Sequence, residues 1–287
     1  MKKILILSGK GGTGKTTVAA SLIEYLNTKT IADCDVDAPN LHLLLKVKDP
    51  KEKDFIGSKK AFIDVDKCVS CGLCAEKCRF DAIHPFEGSY KVDEISCEGC
   101  SMCSLVCPSG AVSFYDDKSG TLQKYTEGYD FSTACLKLGR GNSGKLVSEV
   151  KRNMIIKDTE KYAVLDGSPG IGCPVIASIS GVDWVMLVAE PTLSGFSDLK
   201  RIVSTAKAFE LNLGLCVNKA DINMEITQEI IDYCNAEGVY YLGLIPYDKS
   251  VLKALKNNKL IIDVPSAAGD ALRNVFKEFK QLLEKEN

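Results

Sequence analysis

The chain has 287 residues, 45% of them hydrophobic, with 36 basic and 38 acidic side chains and a formal charge of −2. That length accommodates one large α/β domain and a small module, with enough apolar residues for a core that needs no disulfide staples. The near-cancelled charge argues against nucleic acid as the main partner, since neutralising phosphate takes a basic surplus or patch. No apolar run approaches the roughly 18–20 residues of a membrane span.

Met1-Lys2-Lys3 leads straight into a short apolar run at residues 3–8, read as a buried parallel strand. A reducing, cytoplasmic setting is expected from that start and from the absence of a signal peptide. A helix is expected over residues 15–26 and a second strand over 30–33, ending in an acidic loop. Residues 46–60 are rich in Lys and Asp without apolar periodicity and read as a solvated linker. Residues 61–113 form a cysteine module. Strands then follow at 162–166, 184–190, 214–218 and 242–245, with helices at 197–210 and 227–237 between them. Strands alternating with helices imply a doubly wound, mainly parallel α/β sheet. The expected organisation is a nucleotide domain in two parts, 1–60 and 114–287, with the module of 61–113 inserted as an α+β unit. The apolar face of residues 267–283 (Ala268, Leu272, Val275, Phe276, Phe279, Leu283) reads as a closing helix packed on the sheet. It lacks the Trp and basic face of a membrane-docking helix, so stable membrane association is not expected.

Eight of the thirteen cysteines fall in two runs, Cys68, Cys71, Cys74, Cys78 and Cys97, Cys100, Cys103, Cys107, offset by 29 residues. Each reads C-x2-C-x2-C-x3-C, the spacing of bacterial two-cluster ferredoxins, in which the fourth cysteine of a run ligates the other cluster. Cys68, Cys71, Cys74 and Cys107 are therefore assigned to one 4Fe-4S cluster, and Cys97, Cys100, Cys103 and Cys78 to the second. Zinc fits less well, because its sites are usually built from paired C-x2-C units, often with His. Arg79 stands where a proline usually follows the fourth cysteine, which alters the turn but removes no ligand. The duplication is an internal repeat. Among the other thiols, Cys216 reads as a buried small hydrophobe. Cys34 and Cys173 lie beside the nucleotide loops, where a thiol can sense or ligate, and Cys234 carries no assignment.

Gly9-Lys10-Gly11-Gly12-Thr13-Gly14-Lys15-Thr16 matches the P-loop pattern, between a strand and a helix. Gly9, Gly11, Gly12 and Gly14 let the backbone, Thr13 included, turn its amides onto phosphate at a helix N-terminus. Lys15 supplies charge to the β and γ phosphates, Thr16 is the expected magnesium ligand, and Thr17 is expected at the α phosphate.

Lys10 makes this loop resemble the deviant Walker A loop of the MinD superfamily, the class of MinD, ParA, Mrp and nitrogenase iron protein. That resemblance implies a nucleotide-dependent homodimer in which Lys10 reaches the partner's phosphates. It implies that the loop from Asp33 to Asn40 is switch I, with Asp35 orienting the attacking water and Asp33 and Asp37 near the magnesium shell. Asp166 would hold magnesium through water in a Walker B strand, and the Gly170 amide would sense the γ phosphate. Asn218-Lys219-Ala220-Asp221 matches the N-K-x-D pattern of guanine readers. In MinD-like ATPases, however, an Asn at this strand end reads adenine, and Ile245-Pro246-Tyr247-Asp248 resembles their adenine-side loop, so ATP is favoured over GTP. Over nearly its whole length the chain resembles MinD-type ATPases with an inserted ferredoxin domain. Cys135 with Cys173 is the pair to set against the cluster-bridging cysteines of nitrogenase iron protein, though no convincing match is found. The expected function is an ATP-hydrolysing, magnesium-dependent redox protein, in which nucleotide state gates electron transfer to a partner protein. Two alternatives stand beside it: a carrier or maturation factor that delivers iron–sulfur or metal cofactor, and a ParA- or MinD-like spatial organiser with redox input.

Overall fold

The computed structural model describes residues 1–154 and 159–285. The strands in chain order are β1 (Lys2–Leu7), β2 (Thr30–Asp33), β3 (Lys51–Ile63), β4 (Ile83–Phe86), β5 (Ser89–Val92), β6 (Val112–Tyr125), β7 (Asp130–Leu136), β8 (Tyr162–Asp166), β9 (Trp184–Ala189), β10 (Asn212–Asn218) and β11 (Tyr240–Ile245). The helices are α1 (Lys15–Leu26), α2 (Leu41–Leu45), α3 (Leu73–Glu76), α4 (Met102–Leu105), α5 (Ser143–Arg152), α6 (Cys173–Ile179), α7 (Leu193–Lys207), α8 (Met224–Ala236), α9 (Ser250–Lys256) and α10 (Ala267–Lys285). Two compact units emerge, one of residues 1–52, 122–135 and 143–287, the other of residues 53–121 and 136–142.

In the first unit the strands run β11-β10-β9-β1-β8-β2-β7. All six neighbouring pairs among them are parallel, with Ile6 opposite Asp166 and Asp33 opposite Asp166 in register. The runs Ile4–Leu7 and Val185–Val188 are buried throughout, as strands covered on both faces must be. On one face α1 and α10 close the core. Phe279 meets Trp184 edge-on at 5.4 Å and Phe276 packs on Tyr25 at 5.5 Å, geometries aromatic quadrupoles favour. Residues 267–283 thus fold as the closing helix their periodicity predicts, with Phe276, Phe279 and Leu283 fully buried. Among the described residues no helix is long and apolar enough to cross a membrane.

The second unit repeats its own backbone. Helix α4 follows α3 at an offset of 29 residues, and left-handed residues recur at the same offset: Ser70 and Gly99, Gly72 and Ser101, Asp81 and Gly110. In each pair one member is glycine, which takes a positive φ without the Cβ penalty borne by the other. Strands β4 and β5 form an antiparallel hairpin closed by Glu87-Gly88, both at positive φ, the conformation a two-residue turn needs to match strand twist. The core is small: Ala61, Ile63, Ala82, Ile83 and Ala111, packed with the cysteines.

One expectation fails here. Residues 51–60 are not a linker but the first ten residues of β3, with Phe55, Gly57 and Lys60 turned inward. Six charges in that stretch conceal an alternation that only burial reveals.

Candidate functional site

In a parallel α/β sheet, ligands bind in the crevice beyond the carboxyl ends of the strands. Ser8, Asp33, Asp166, Glu190, Asn218 and Pro246 all lie at the carboxyl ends of strands of the first unit. Between β1 and α1 the loop turns through Gly12 and Gly14 at φ of 82° and 91°. A Cβ on Gly14 would stand 2.4 Å from Asn218 Nδ2, so only glycine fits. No acidic residue occupies the first turn of α1 and no side chain caps it, which leaves its amides directed at the cleft. The cleft, about 520 Å³, is lined by residues 10–17, Asp35, Asp37, Ala38, Ser168 and Pro169.

Beneath it Lys15 Nζ donates to Asp166 Oδ1 at 2.6 Å, with both side chains buried. Burial works against the Lys15 ammonium, but Asp166, Asp35 and Asp33 outweigh it and raise its pKa. Asp33 is pushed up to about 7, chiefly by burial and then by the Asp166 carboxylate. Its oxygens accept from the amides of Asp35, Asn40 and Leu41, so in this conformation it braces the loop between β2 and α2. Asp35 faces the cleft and is raised by burial, with Asp166 and Asp37 adding to the shift against Lys15. Thr13 Oγ1 and Asp166 Oδ2 are buried without a hydrogen-bond partner. Buried polar atoms left this way are costly unless a ligand satisfies them. Asp166 leaves one carboxylate oxygen without a partner at the end of β8, and Thr16 lines the cleft; a carboxylate and a hydroxyl are oxygen donors that hydrated magnesium takes, so these residues fit that ion.

The loop after β8 is stitched to its neighbours: Ser168 Oγ donates to the Cys34 carbonyl at 2.7 Å, and the Gly170 amide to the Ser8 carbonyl at 3.1 Å. The Gly170 amide is therefore engaged by protein in this conformation. Lys10 Nζ donates to Thr192 Oγ1 at 2.9 Å and pairs with Glu190 at 3.3 Å. Lys219 meets the other Glu190 oxygen at 3.0 Å. Burial raises the Glu190 carboxyl, but Lys219 and Lys10 together hold it below the usual range. Glu190 and Thr192 escape the motif reading; their one signal is their place at the end of a parallel strand.

Beside Asn218, an apolar cavity of about 320 Å³ is lined by Gly14, Thr17, Asn218, Pro246, Tyr247 and Leu255, among others. Asn218 Nδ2 donates to the Thr13 carbonyl at 2.7 Å, and Asp221 Oδ1 accepts from the Tyr247 amide at 2.6 Å. The polar atoms of the N-K-x-D run thus hold loops in place.

In the second unit, Cys68, Cys74 and Cys107 lie within reach of one another's charge, as do Cys97, Cys100 and Cys103. Cys78 shares one cavity with Cys97, Cys100 and Cys103. Cys71 is exposed. Backbone amides of Ala82 and Ala111, again 29 residues apart, donate to the sulfurs of Cys78 and Cys107 at 3.4 and 3.3 Å. Ser89 lowers the Cys68 thiol and Ser109 that of Cys107 by hydrogen bonding, while burial raises Cys74 and Cys103. Among the described residues no three His, Cys, Asp or Glu side chains converge on a single-ion site. A cube of four irons holds its thiolates farther apart than one ion does, and amides directed at sulfur suit it. Cys68, Cys74 and Cys107 on one side, and Cys78, Cys97, Cys100 and Cys103 on the other, fit an iron–sulfur cluster each. Of the other thiols, Cys34, Cys216 and Cys234 are buried and each pushed up to about 12 by that burial, as inert structural thiols are. Cys173 is exposed at the start of α6, and Cys135 is exposed at the end of β7.

Residues 4–261 match the family model described as the CobQ/CobB/MinD/ParA nucleotide binding domain. An uncharacterised protein of Methanocaldococcus jannaschii is 32% identical over 284 residues, 98% of this chain and 97% of that one. From the same organism, an uncharacterised ferredoxin is 31% identical over 99 residues, covering 33% of this chain and 64% of its own length. Its iron-sulfur cluster carrier protein is 21% identical over 302 residues, covering 98% and 85%. Among solved structures, the cell division ATPase MinD of Pyrococcus furiosus superposes with a TM-score of 0.59 at 20% identity, covering 98% and 99% of the two chains. MinD of Pyrococcus horikoshii, complexed with Mg-ADP, gives 0.58 at 20%, covering 100% and 98%. Those structures share the fold, and the chain belongs to the CobQ/CobB/MinD/ParA nucleotide-binding family.

Proposed function

We propose that this protein is a dimer-forming ATPase and iron–sulfur protein that couples its nucleotide state to electron transfer to a partner protein. One observation carries the reading: a phosphate cleft with a second lysine poised at its edge, and two four-cysteine sets, belong to the same chain. Lys15 and the amides of α1 bind the phosphates, Asp35 orients the attacking water, and Thr16 with Asp166 would hold magnesium. Lys10, leaving Glu190 and Thr192, reaches the phosphates of a second copy. Residues 61–113 form the ferredoxin-like module, with Cys68, Cys71, Cys74 and Cys107 around one 4Fe-4S cluster and Cys97, Cys100, Cys103 and Cys78 around the other. When bound, each cluster stores and passes single electrons. ATP acts by favouring one conformation over another, which requires different affinity for the two.

Likeness to MinD complexed with Mg-ADP supports the nucleotide, and likeness to a ferredoxin supports the module. The test is anaerobic potentiometry and solution mass with and without Mg-ATP. Expected are eight irons per chain, a nucleotide-dependent dimer, and a potential that shifts with nucleotide; Lys10→Ala should bind ATP yet remain monomeric. A potential and a mass that both ignore nucleotide would remove the coupling. Similarity to an iron-sulfur cluster carrier protein favours a second reading, delivery of the clusters to a client. Rapid loss of iron to a chelator during turnover would select it.

A further inference from the structure

The repeat allows the two cysteine sets to be compared position by position. Lys60 of β3 is 4% exposed, and its Nζ donates to the carbonyl of Cys97, which opens the second run. No carboxylate pairs with it among the described residues. The same strand grips this run from its backbone, since a Cβ on Gly99 would stand 2.1 Å from the Lys59 carbonyl. At the 29-residue offset the counterpart of Lys60 is Ser89. Ser89 is buried and lies beside Cys68, which opens the first run. Position 60 therefore serves the second run, and its repeat at 89 serves the first. One carries a positive charge and the other a neutral hydroxyl.

A buried, unpaired ammonium is costly, and a neighbouring anion relieves it. Four thiolates around a cluster supply negative charge, and one more electron adds to it. We propose that Lys60 sets the two iron–sulfur sites apart in reduction potential, drawing a shared electron to the site of Cys97, Cys100, Cys103 and Cys78. The inference rests on the reading that each cysteine set holds a cluster. Ser89 and Ser109 favour the added electron at the first site, but as neutral dipoles against a whole buried charge. Arg79 and Glu98 flank the second set, opposite in sign and exposed, where solvent and salt screen them. The balance is one electron: it leaves the first site, oxidising it, and arrives at the second, reducing it. No bond or proton moves, and an external one-electron reductant supplies the electron.

The test is a dithionite-driven redox titration of the full chain, reconstituted to eight irons and followed by electron paramagnetic resonance. Two one-electron waves are expected. K60Q should lower the higher wave alone and change the electron-sharing ratio at least tenfold, which for a one-electron couple is about 59 mV. K60R should keep the separation of the parent protein, and S89K should raise the lower wave. Waves unmoved by K60Q, or both moved equally, would overturn the assignment. Should K60Q fail to retain its second cluster, S89K decides, and an unmoved lower wave sinks the inference. Failure of the parent protein to take up two clusters is a separate result, which removes the cluster reading itself.

Discussion

Asp33 is pulled two ways. Burial and the Asp166 carboxylate favour its neutral form, while three backbone amides and Lys15 favour the ion, and the outcome is a value near 7 against 3.8 for a free carboxyl. A carboxyl raised on folding contributes stability that is fully present below its unfolded value and is lost as pH rises through its folded one. Stability of the nucleotide- and metal-free protein should therefore fall between about pH 4 and pH 7, with a melting temperature lower by on the order of a few degrees at the upper end. In Asp33→Asn that decline should flatten, whatever the variant's baseline. Thermal melts of both proteins across this range are the check, and equal slopes would mean that other groups carry the dependence. The role of Asp33 as a brace was not legible in the sequence. The motif places it near the site, but its bonds to Asn40 and Leu41 depend on how the loop folds back. Glu190 and Lys60 escaped for a related reason: each acts across a long sequence separation on a group that no local pattern pairs with it.

At the scale of elements, legibility follows burial. Strand β2, helix α1 and strand β8 have the bounds that composition implies: Gly14 precedes α1, Gly167 follows β8, and β2 ends where its apolar pair meets the acidic loop. Strand β3 was hidden by its lysines, and β6, β7 and α5 lack runs apolar enough to stand out. Helix α10 was read from its apolar stripe, and that stripe makes a quantitative claim. Phe279 is fully buried against Trp184. Phe279→Ala should cost about 3–5 kcal/mol, the range for deleting a buried aromatic ring. Glu278→Ala, on the exposed face of the same helix, should stay within about 0.5 kcal/mol. Denaturant titration with an unchanged slope separates these outcomes. Near-equal midpoints for the two variants would mean that the helix is not a structural lid of the sheet.

For the whole molecule, what matters is how the chain is threaded. It passes between the two units after residues 52, 121, 135 and 142. The residues of the P-loop cleft and of the apolar cavity beside Asn218 all belong to the first unit, and both cysteine runs belong to the second. Within the first unit, the ends left by the longer excursion are already joined: Gln123 Nε2 donates to Glu52 Oε1 at 2.8 Å. Closing so short a gap adds little loop entropy. A variant in which a short turn replaces residues 53–121 should therefore fold, bind no iron, and retain nucleotide affinity within a few-fold of the full chain. Since Lys10, Glu190 and Thr192 remain in it, nucleotide-dependent dimerisation should survive as well. Isothermal titration and solution mass of this variant give the answer. If affinity survives but dimerisation is lost, the second unit supplies part of the dimer contact. Loss of folding would show that the first unit depends on the second for its stability. Retention of both functions would place the nucleotide switch wholly in the first unit, leaving the cysteine module as the part that responds to it.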